Sequence, residues 1–155
     1  LFALILQFFR NPKRTVKLDF DEISVLDLFA GTGNISFEFA SRGAITIKSV
    51  DINNKCIDFI NKTAMDLKFS NLRGIKSNVF QYINNSIENF DLIFADPPYD
   101  LDESSTIPDL IFENKLLKEN GIFIMEHSRN LSFADHEKFM EHRKYGNVNV
   151  TFFGE

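Results

Sequence analysis

Four consecutive residues, Asp96, Pro97, Pro98 and Tyr99, stand directly after the apolar run at positions 92–95. Proline fixes φ and carries no N–H, so two in a row give a stiff loop with at least one carbonyl free to face a cleft. Asp96 adds a second acceptor beside that carbonyl, and Tyr99 adds a flat ring with a hydroxyl. The set suits a planar group bearing an NH₂. An exocyclic amine on a base is a poor nucleophile, because its lone pair is delocalised into the ring. The Asp96 carboxylate and the Pro97 carbonyl, gripping its N–H bonds, would favour a pyramidal nitrogen whose lone pair aims at an electrophile. Polar groups fixed in advance stabilise the positive charge that then develops, and alignment of the two reactants adds a proximity effect. Asp96 is also placed to take the departing proton, although the attack itself needs no base. The plainer alternative is an ordinary Pro-rich turn after a strand.

The electrophile is indicated by positions 24–34, S-V-L-D-L-F-A-G-T-G-N. An apolar run enters a glycine turn at Gly31 and Gly33, and a helix follows from about residue 34 to 42, as at the start of a βαβ nucleotide-binding unit. Both glycines lack a Cβ, which lets backbone approach a ligand closely, and the helix directs its free amides toward it. Asp27 decides the kind of ligand. A carboxylate so near the turn repels a pyrophosphate and suits a ligand carrying an ammonium or sulfonium group, so S-adenosylmethionine (AdoMet) is expected in place of a dinucleotide. A G-x-G-x-x-G pattern would also need glycine at position 36, where the chain has Ser36. Asp51, twenty positions after Gly31, ends the second apolar run, where an acid accepts hydrogen bonds from a ribose diol; the alternative role is a cap for the helix beyond it.

These residues require strands that bring positions 27, 51 and 96 to one edge. Apolar patterning predicts strands at 24–29, 45–50, 72–76, 92–95 and 122–126, then a hairpin of strands 141–145 and 148–153 around Gly146-Asn147. Helices are expected at 1–9, stopped by Asn11-Pro12, and at 34–42, closed by Gly43. Further helices are expected at 54–69, with Ile57, Ile60, Ala64, Met65 and Leu67 on its apolar face, and around Phe80, Ile83 and Ile87. A last one is expected at 108–117, closed near Asn120-Gly121, while 131–139 is ambiguous. The alternation argues for an α/β domain with a mostly parallel sheet and one antiparallel strand from the final hairpin.

At 155 residues the chain reads as a single domain, 1–155, with one sizeable core, and eighteen Phe with no Trp imply that this core is built on Phe. The net charge of −5 makes any nucleic-acid contact depend on local basic patches. Arg10, Lys13, Arg14 and Lys17 form one such stretch, read as a solvated loop or as a phosphate contact. Lys138, Arg143 and Lys144 read as a solvated edge. Cys56 is the only cysteine, which excludes an intrachain disulfide and a cysteine zinc cluster. His127, His136 and His142 lack metal-ligand spacing and read as strand-end or surface residues, so no metal is expected. Glu126 and His127, ending the fifth strand, are minor candidates for lining a base pocket. No apolar run reaches the roughly 18 residues a bilayer span needs, and residues 1–9 make a poor signal peptide, so a cytoplasmic protein with no membrane association is expected.

The motifs D-L-F-A-G-T-G at 27–33, S-R-G at 41–43, the acid Asp51, D-P-P-Y at 96–99 and R-K-Y-G at 143–146 together resemble the RsmD-like family of 16S ribosomal RNA guanine-N2 methyltransferases, within the class I AdoMet-dependent methyltransferases. The D-P-P-Y element is shared with DNA adenine methyltransferases and specifies amino-group methylation; the glycine motif and R-K-Y-G point to the rRNA family. The resemblance implies a Rossmann-like, seven-stranded, mostly parallel sheet with helices on both faces. It implies that Asp27, Ala30, Gly31 and Gly33 surround the methionine portion of AdoMet, that Asp51 and Ile52 hold the ribose and flank the adenine, and that Asn78 and Val79 lie against the adenine. The family commonly has an acid where Asn78 stands. S-adenosylhomocysteine would be the product, 16S rRNA within a 30S subunit or assembly intermediate the partner, and a monomer the working form. Family members also carry an N-terminal β-hairpin and an R-P-T-x-D type segment that contribute to RNA engagement; neither is seen here, so good AdoMet binding with poor RNA binding or methylation is expected. The rival readings are a DNA adenine-N6 methyltransferase, which needs a separate sequence-reading module, and a non-catalytic AdoMet- or nucleotide-binding module. A dehydrogenase is opposed by Asp27 and Ser36.

Overall fold

The computed structural model describes residues 1–11 and 19–154. Lys13, Arg14 and Lys17 of the basic stretch lie outside the described residues. Among the described residues, one seven-stranded sheet runs in the order β3-β2-β1-β4-β5-β7-β6. Its strands are β1 (Ser24–Leu28), β2 (Thr46–Asp51), β3 (Leu72–Lys76), β4 (Phe90–Ala95), β5 (Leu117–His127), β6 (Phe139–Tyr145) and β7 (Val148–Phe153). The first five are parallel, and β7 runs antiparallel to both β5 and β6. Strands β1 and β4 are buried on both faces, as their unbroken apolar runs require.

The sheet divides two cores by strand alternation. Val25, Ile47, Phe94 and Ile124 face one core, which α1 (Phe2–Phe9), α2 (Asn34–Ser41) and α3 (Asn54–Asp66) cover with Ile5, Phe8, Phe39 and Ile60. Leu26, Leu28, Ala95 and Met125 face the other, under α4 (Val79–Asn85) and α5 (Ile107–Glu113). Phe carries much of both: Phe8, Phe39, Phe90, Phe94, Phe123, Phe152 and Phe153 are fully enclosed. Phe8 stacks on Phe152 at 3.9 Å between ring centroids, which seats α1 on the sheet.

Three expected elements differ. The helix expected at 108–117 stops at Glu113. Lys115 turns left-handed, Leu116 drops into the core and its amide donates to the Ile111 carbonyl, so Leu117 already pairs with Phe90. Asn120-Gly121 is consequently a bulge inside β5 and not a helix stop: the register jumps from Phe90↔Leu117 to Leu92↔Ile122, with Asn120 at φ 61°. On α3 only Ile57, Ile60 and Ala64 are buried; the helix ends at Asp66, leaving Met65 and Leu67 exposed. Ile87 falls beyond α4 and is fully exposed. Residues 128–138 form neither helix nor strand, and Phe133 anchors them against His127 and Phe153. A short 3-10 helix, Asp102–Thr106, precedes α5 and was not foreseen.

Arg143 is no solvated-edge residue. It is half-buried, its guanidinium lies 5.8 Å from the Phe8 ring and 5.7 Å from the Phe152 ring, and it bonds Glu141 and the Leu4 carbonyl. The cation therefore helps hold α1 to β6.

Candidate active site

The register Leu28↔Ala95 makes the turns after β1 and β4 emerge side by side at the carboxyl ends of the parallel strands. They open into one cleft of about 740 Å³, whose lining includes Asp27, Ala30, Gly31, Thr32, Phe94 and Asp96. The glycine turn and Asp96 thus share a cavity, while Pro97, Pro98 and Tyr99 lie outside its lining and border a smaller pocket with His127.

Asp27 is 2% exposed. It accepts a hydrogen bond from the Ser36 hydroxyl at 2.5 Å, and the Ser36 and Ser49 hydroxyl oxygens lie 2.6 Å apart. Among the described residues no cation pairs with it. Burial pushes its carboxyl from 3.8 up to about 7; the Ser36 bonds oppose the rise, and the nearby Asp96 and Asp51 charges add to it. Ser36, the residue that breaks the third-glycine pattern, thus orients the first acid. The sequence signal was its position on the inner face of α2, nine residues after Asp27.

The turn itself is pinned from β2. Asp51 accepts the Gly31 N–H through Oδ2 and the Asn53 N–H through Oδ1, both at 2.8 Å. Each oxygen keeps a lone pair for a further donor. Phe29 is held left-handed at φ 57°, a strained conformation for a bulky residue, while the Ala30 amide donates to the Val50 carbonyl. The two glycines have different jobs. Gly31 has φ 55° and open space where a Cβ would stand, so a ligand can approach its backbone. Gly33 caps α2 at φ 82°, and a Cβ there would meet Ile60 Cγ1 at 2.9 Å. It shapes the turn and does not line the cleft.

Ile52, Asn78 and Val79 lie on the same sheet edge, after β2 and β3, but outside the cleft lining. Ile52 is 66% exposed and Val79 is buried. Asn78 is the N-cap of α4, its side-chain oxygen accepting the Gln81 N–H at 3.2 Å.

On the β4 side, the Asp96 amide donates to the Leu28 carbonyl at 3.4 Å, tying the second loop to the first strand. Pro97 is buried; Asp96, Pro98 and Tyr99 reach solvent. Loss of water around the Asp96 carboxyl pushes it up to about 6, with the Glu126 charge adding to the rise. The Tyr99 hydroxyl donates to Glu126 Oε1 at 2.9 Å, and desolvation followed by this bond pushes the phenol up to about 12. Glu126, near the end of β5, is thereby tied to the D-P-P-Y segment through Tyr99. Its neighbour His127 ends β5, as the strand-end reading expects, and is buried. Its Nδ1–H donates to the Ser128 carbonyl at 2.9 Å and its Nε2 accepts from the Thr151 hydroxyl at 2.8 Å. Burial lowers its pKa; the Ser128 bond opposes and His142 adds to the fall. Among the described residues no group of three or more His, Cys, Asp or Glu is arranged to hold a metal ion.

The family model described as conserved hypothetical protein 95 matches residues 11–154. The chain belongs to this family. It is 30% identical over 107 residues to the ribosomal RNA small subunit methyltransferase D of Buchnera aphidicola subsp. Baizongia pistaciae, an alignment covering 69% of this chain and 55% of that protein. It is 30% identical over 159 residues to the methylase RP545 of Rickettsia prowazekii, described as uncharacterized, covering 73% of this chain and 67% of that one. Among solved structures, yhhF of Escherichia coli superposes with a TM-score of 0.82 at 18% identity, over 97% of this chain and 81% of its own. The chain thus spans little more than half the length of the Buchnera relative. Fold and family together make it an RsmD-like class I methyltransferase with a Rossmann-like sheet.

Proposed function

We propose that the protein transfers a methyl group from AdoMet to the exocyclic N2 amine of a guanine in 16S rRNA, presented on a 30S subunit or an assembly intermediate. One observation carries the proposal: the buried Asp27, which no cation pairs with among the described residues, and the open Gly31 backbone share a cleft with Asp96, and Pro97 follows Asp96 directly in the chain. The residues fit the cofactor. A buried carboxylate without a partner is costly, and the ammonium or sulfonium of AdoMet would relieve that cost. Asp27, Ala30 and Gly31 would hold the methionine portion, with Gly33 fixing the turn. Asp51 would accept from the ribose hydroxyls, Ile52 would cover the adenine, and Asn78 and Val79 would bound it. Bound AdoMet supplies an electrophilic methyl group: the amine nitrogen bonds to its carbon as the carbon–sulfur bond breaks, giving S-adenosylhomocysteine.

The chain's own residues then account for the nucleophile. Asp96 and the Pro97 carbonyl accept the two amine N–H bonds and stabilise the positive charge arising on nitrogen. Asp96, raised to about 6, retains the proton lost from that nitrogen better than an ordinary carboxylate. Tyr99 offers its ring face to a base drawn out of its stack. The Buchnera relative's name, which specifies small-subunit rRNA, supports RNA as the substrate. Among the described residues no helix is long and apolar enough to cross a membrane, and a cytoplasmic monomer is part of the proposal.

The test is a pair of measurements on Asp96→Ala. AdoMet affinity by isothermal titration stays within about twofold of wild type, while methyl transfer to hypomethylated small subunits, with protein in excess of RNA, falls at least about a hundredfold. Joint loss of binding and transfer would make the loop structural; unchanged transfer would remove Asp96 from the chemistry.

A further inference from the structure

Asp27, Asp96 and Glu126 form a row. They stand at the carboxyl ends of β1, β4 and β5, which are consecutive in the sheet. The register Ala95↔Met125 sets Asp96 and Glu126 level, Asp27 lies two residues lower opposite Phe94, and alternation puts all three on the face of Val25, Phe94 and Ile124. Adjacent strands lie about 4.8 Å apart, so Glu126 sits one strand beyond Asp96, on the side away from Asp27.

Glu126 is 8% exposed. Its one hydrogen bond among the described residues is the one from the Tyr99 hydroxyl to Oε1; Oε2 has none, and no cation pairs with it. A neutral acceptor would hold Tyr99 as well. A nearly buried carboxylate with a free oxygen points to a donor that arrives with the substrate.

We infer that Glu126 accepts the ring N1–H of the acceptor base and so selects guanine over adenine. The inference rests on the guanine-N2 reading above and names the residue that would enforce it. An ionised carboxylate accepts hydrogen bonds and cannot donate them. Guanine presents two neighbouring donors on its Watson–Crick edge, the exocyclic amine and N1–H. With the amine on Asp96, N1–H falls toward the next strand and meets Glu126. Adenine presents its amine beside an unprotonated N1, so the same pose would set a lone pair against the Glu126 carboxylate. A site built around a donor rejects an analogue lacking it, because its buried acceptor is left unpaired. The D-P-P-Y segment grips either amine, and discrimination falls to the neighbouring strand.

The experiment incubates small subunits reconstituted with unmodified 16S rRNA transcript with AdoMet and protein in excess, followed by mass-spectrometric nucleoside analysis. Wild type forms N2-methylguanosine without N6-methyladenosine. E126Q, whose amide can donate to adenine N1, lowers N2-methylguanosine at least about tenfold and makes N6-methyladenosine measurable. E126D, which keeps the carboxylate, forms only N2-methylguanosine at reduced rate. AdoMet affinity stays within about twofold in both, which reports an intact cofactor site. N2-methylguanosine at the wild-type rate and without N6-methyladenosine in E126Q would overturn the role of Glu126 and leave the proposed reaction standing. So would equal losses in E126Q and E126D with no change in product identity. A wild-type product other than N2-methylguanosine would overturn the reaction, and this role with it.

Discussion

Burial raises the Asp27 carboxyl to about 7, so on the proposed reading AdoMet binds a carboxyl that is partly protonated at neutral pH. A cationic ligand favours the ionised form, and binding therefore expels a proton. With a carboxyl near 7, about a tenth of free protein is ready at pH 6 and about nine tenths at pH 8, so affinity at pH 6 is about tenfold weaker. Asp96, near 6, adds at most about a further twofold. Isothermal titration at pH 6, 7 and 8, in buffers of different ionisation enthalpy, reads both the dissociation constant and the protons released. The account expects close to one proton released at pH 6 and few at pH 8. Asp27→Asn should bind weakly at every pH and lose most of the slope. The same carboxyl sets the stability of the ligand-free protein. Its folded value lies above the unfolded 3.8, so the folded state binds the extra proton and stability declines as pH rises from about 4 to 7. The full decline is up to about 4 kcal/mol, and Asp27→Asn should remove it, giving a more stable but inactive protein above pH 7. A pH-independent affinity with no proton release would refute the reasoning.

Further outcomes follow from the same geometry. Ser36→Ala removes the hydroxyl that opposes the rise at Asp27, so the midpoint of the binding–pH curve moves upward; a downward move would contradict the assignment. Methyl transfer at saturating AdoMet should fall as pH drops through about 6, where Asp96 protonates, and E126Q should shift that limb to lower pH. Gly33→Ala forces a Cβ onto the buried Ile60 at a left-handed φ and should cost about 2–4 kcal/mol in urea denaturation. Gly31→Ala meets open space and should cost only about 1 kcal/mol of stability while weakening AdoMet binding more strongly. Phe8→Ala removes the ring stacked on Phe152 and should cost about 3–5 kcal/mol; a loss under about 1 kcal/mol would mean that α1 contributes little.

The parallel strands and the final hairpin were legible because their apolar runs are short, dense and punctuated by Gly, Asn and Asp. The 108–117 helix was misjudged because Leu116 and Leu117 extend its apolar pattern, whereas the left-handed Lys115 redirects the chain into β5. Asn120-Gly121 then looked like a helix stop, although the same dipeptide serves equally as a bulge. Asp27, Gly31 and Asp96 could be placed together from strand order alone. Ser36 and Ser49 could not, nor could the bond from Tyr99 to Glu126, since these depend on which side chains meet across the fold. Arg143 looked solvated for the same reason: the rings that enclose it come from Phe8 and Phe152, the first far away in sequence and the second on the facing strand.

The central claim is spatial: the methyl donor lies over the Gly31 turn with its sulfur aimed across the cleft at the Asp96 acceptor set. A crystal structure with S-adenosylhomocysteine measures this directly. Room for an in-line amine places the sulfur within about 8 Å of the Asp96 carboxylate, with the amino group of the ligand beside Asp27 and the ribose hydroxyls on Asp51. A sulfur facing away from Asp96 and Tyr99, or a ligand seated elsewhere on the sheet, would contradict the account.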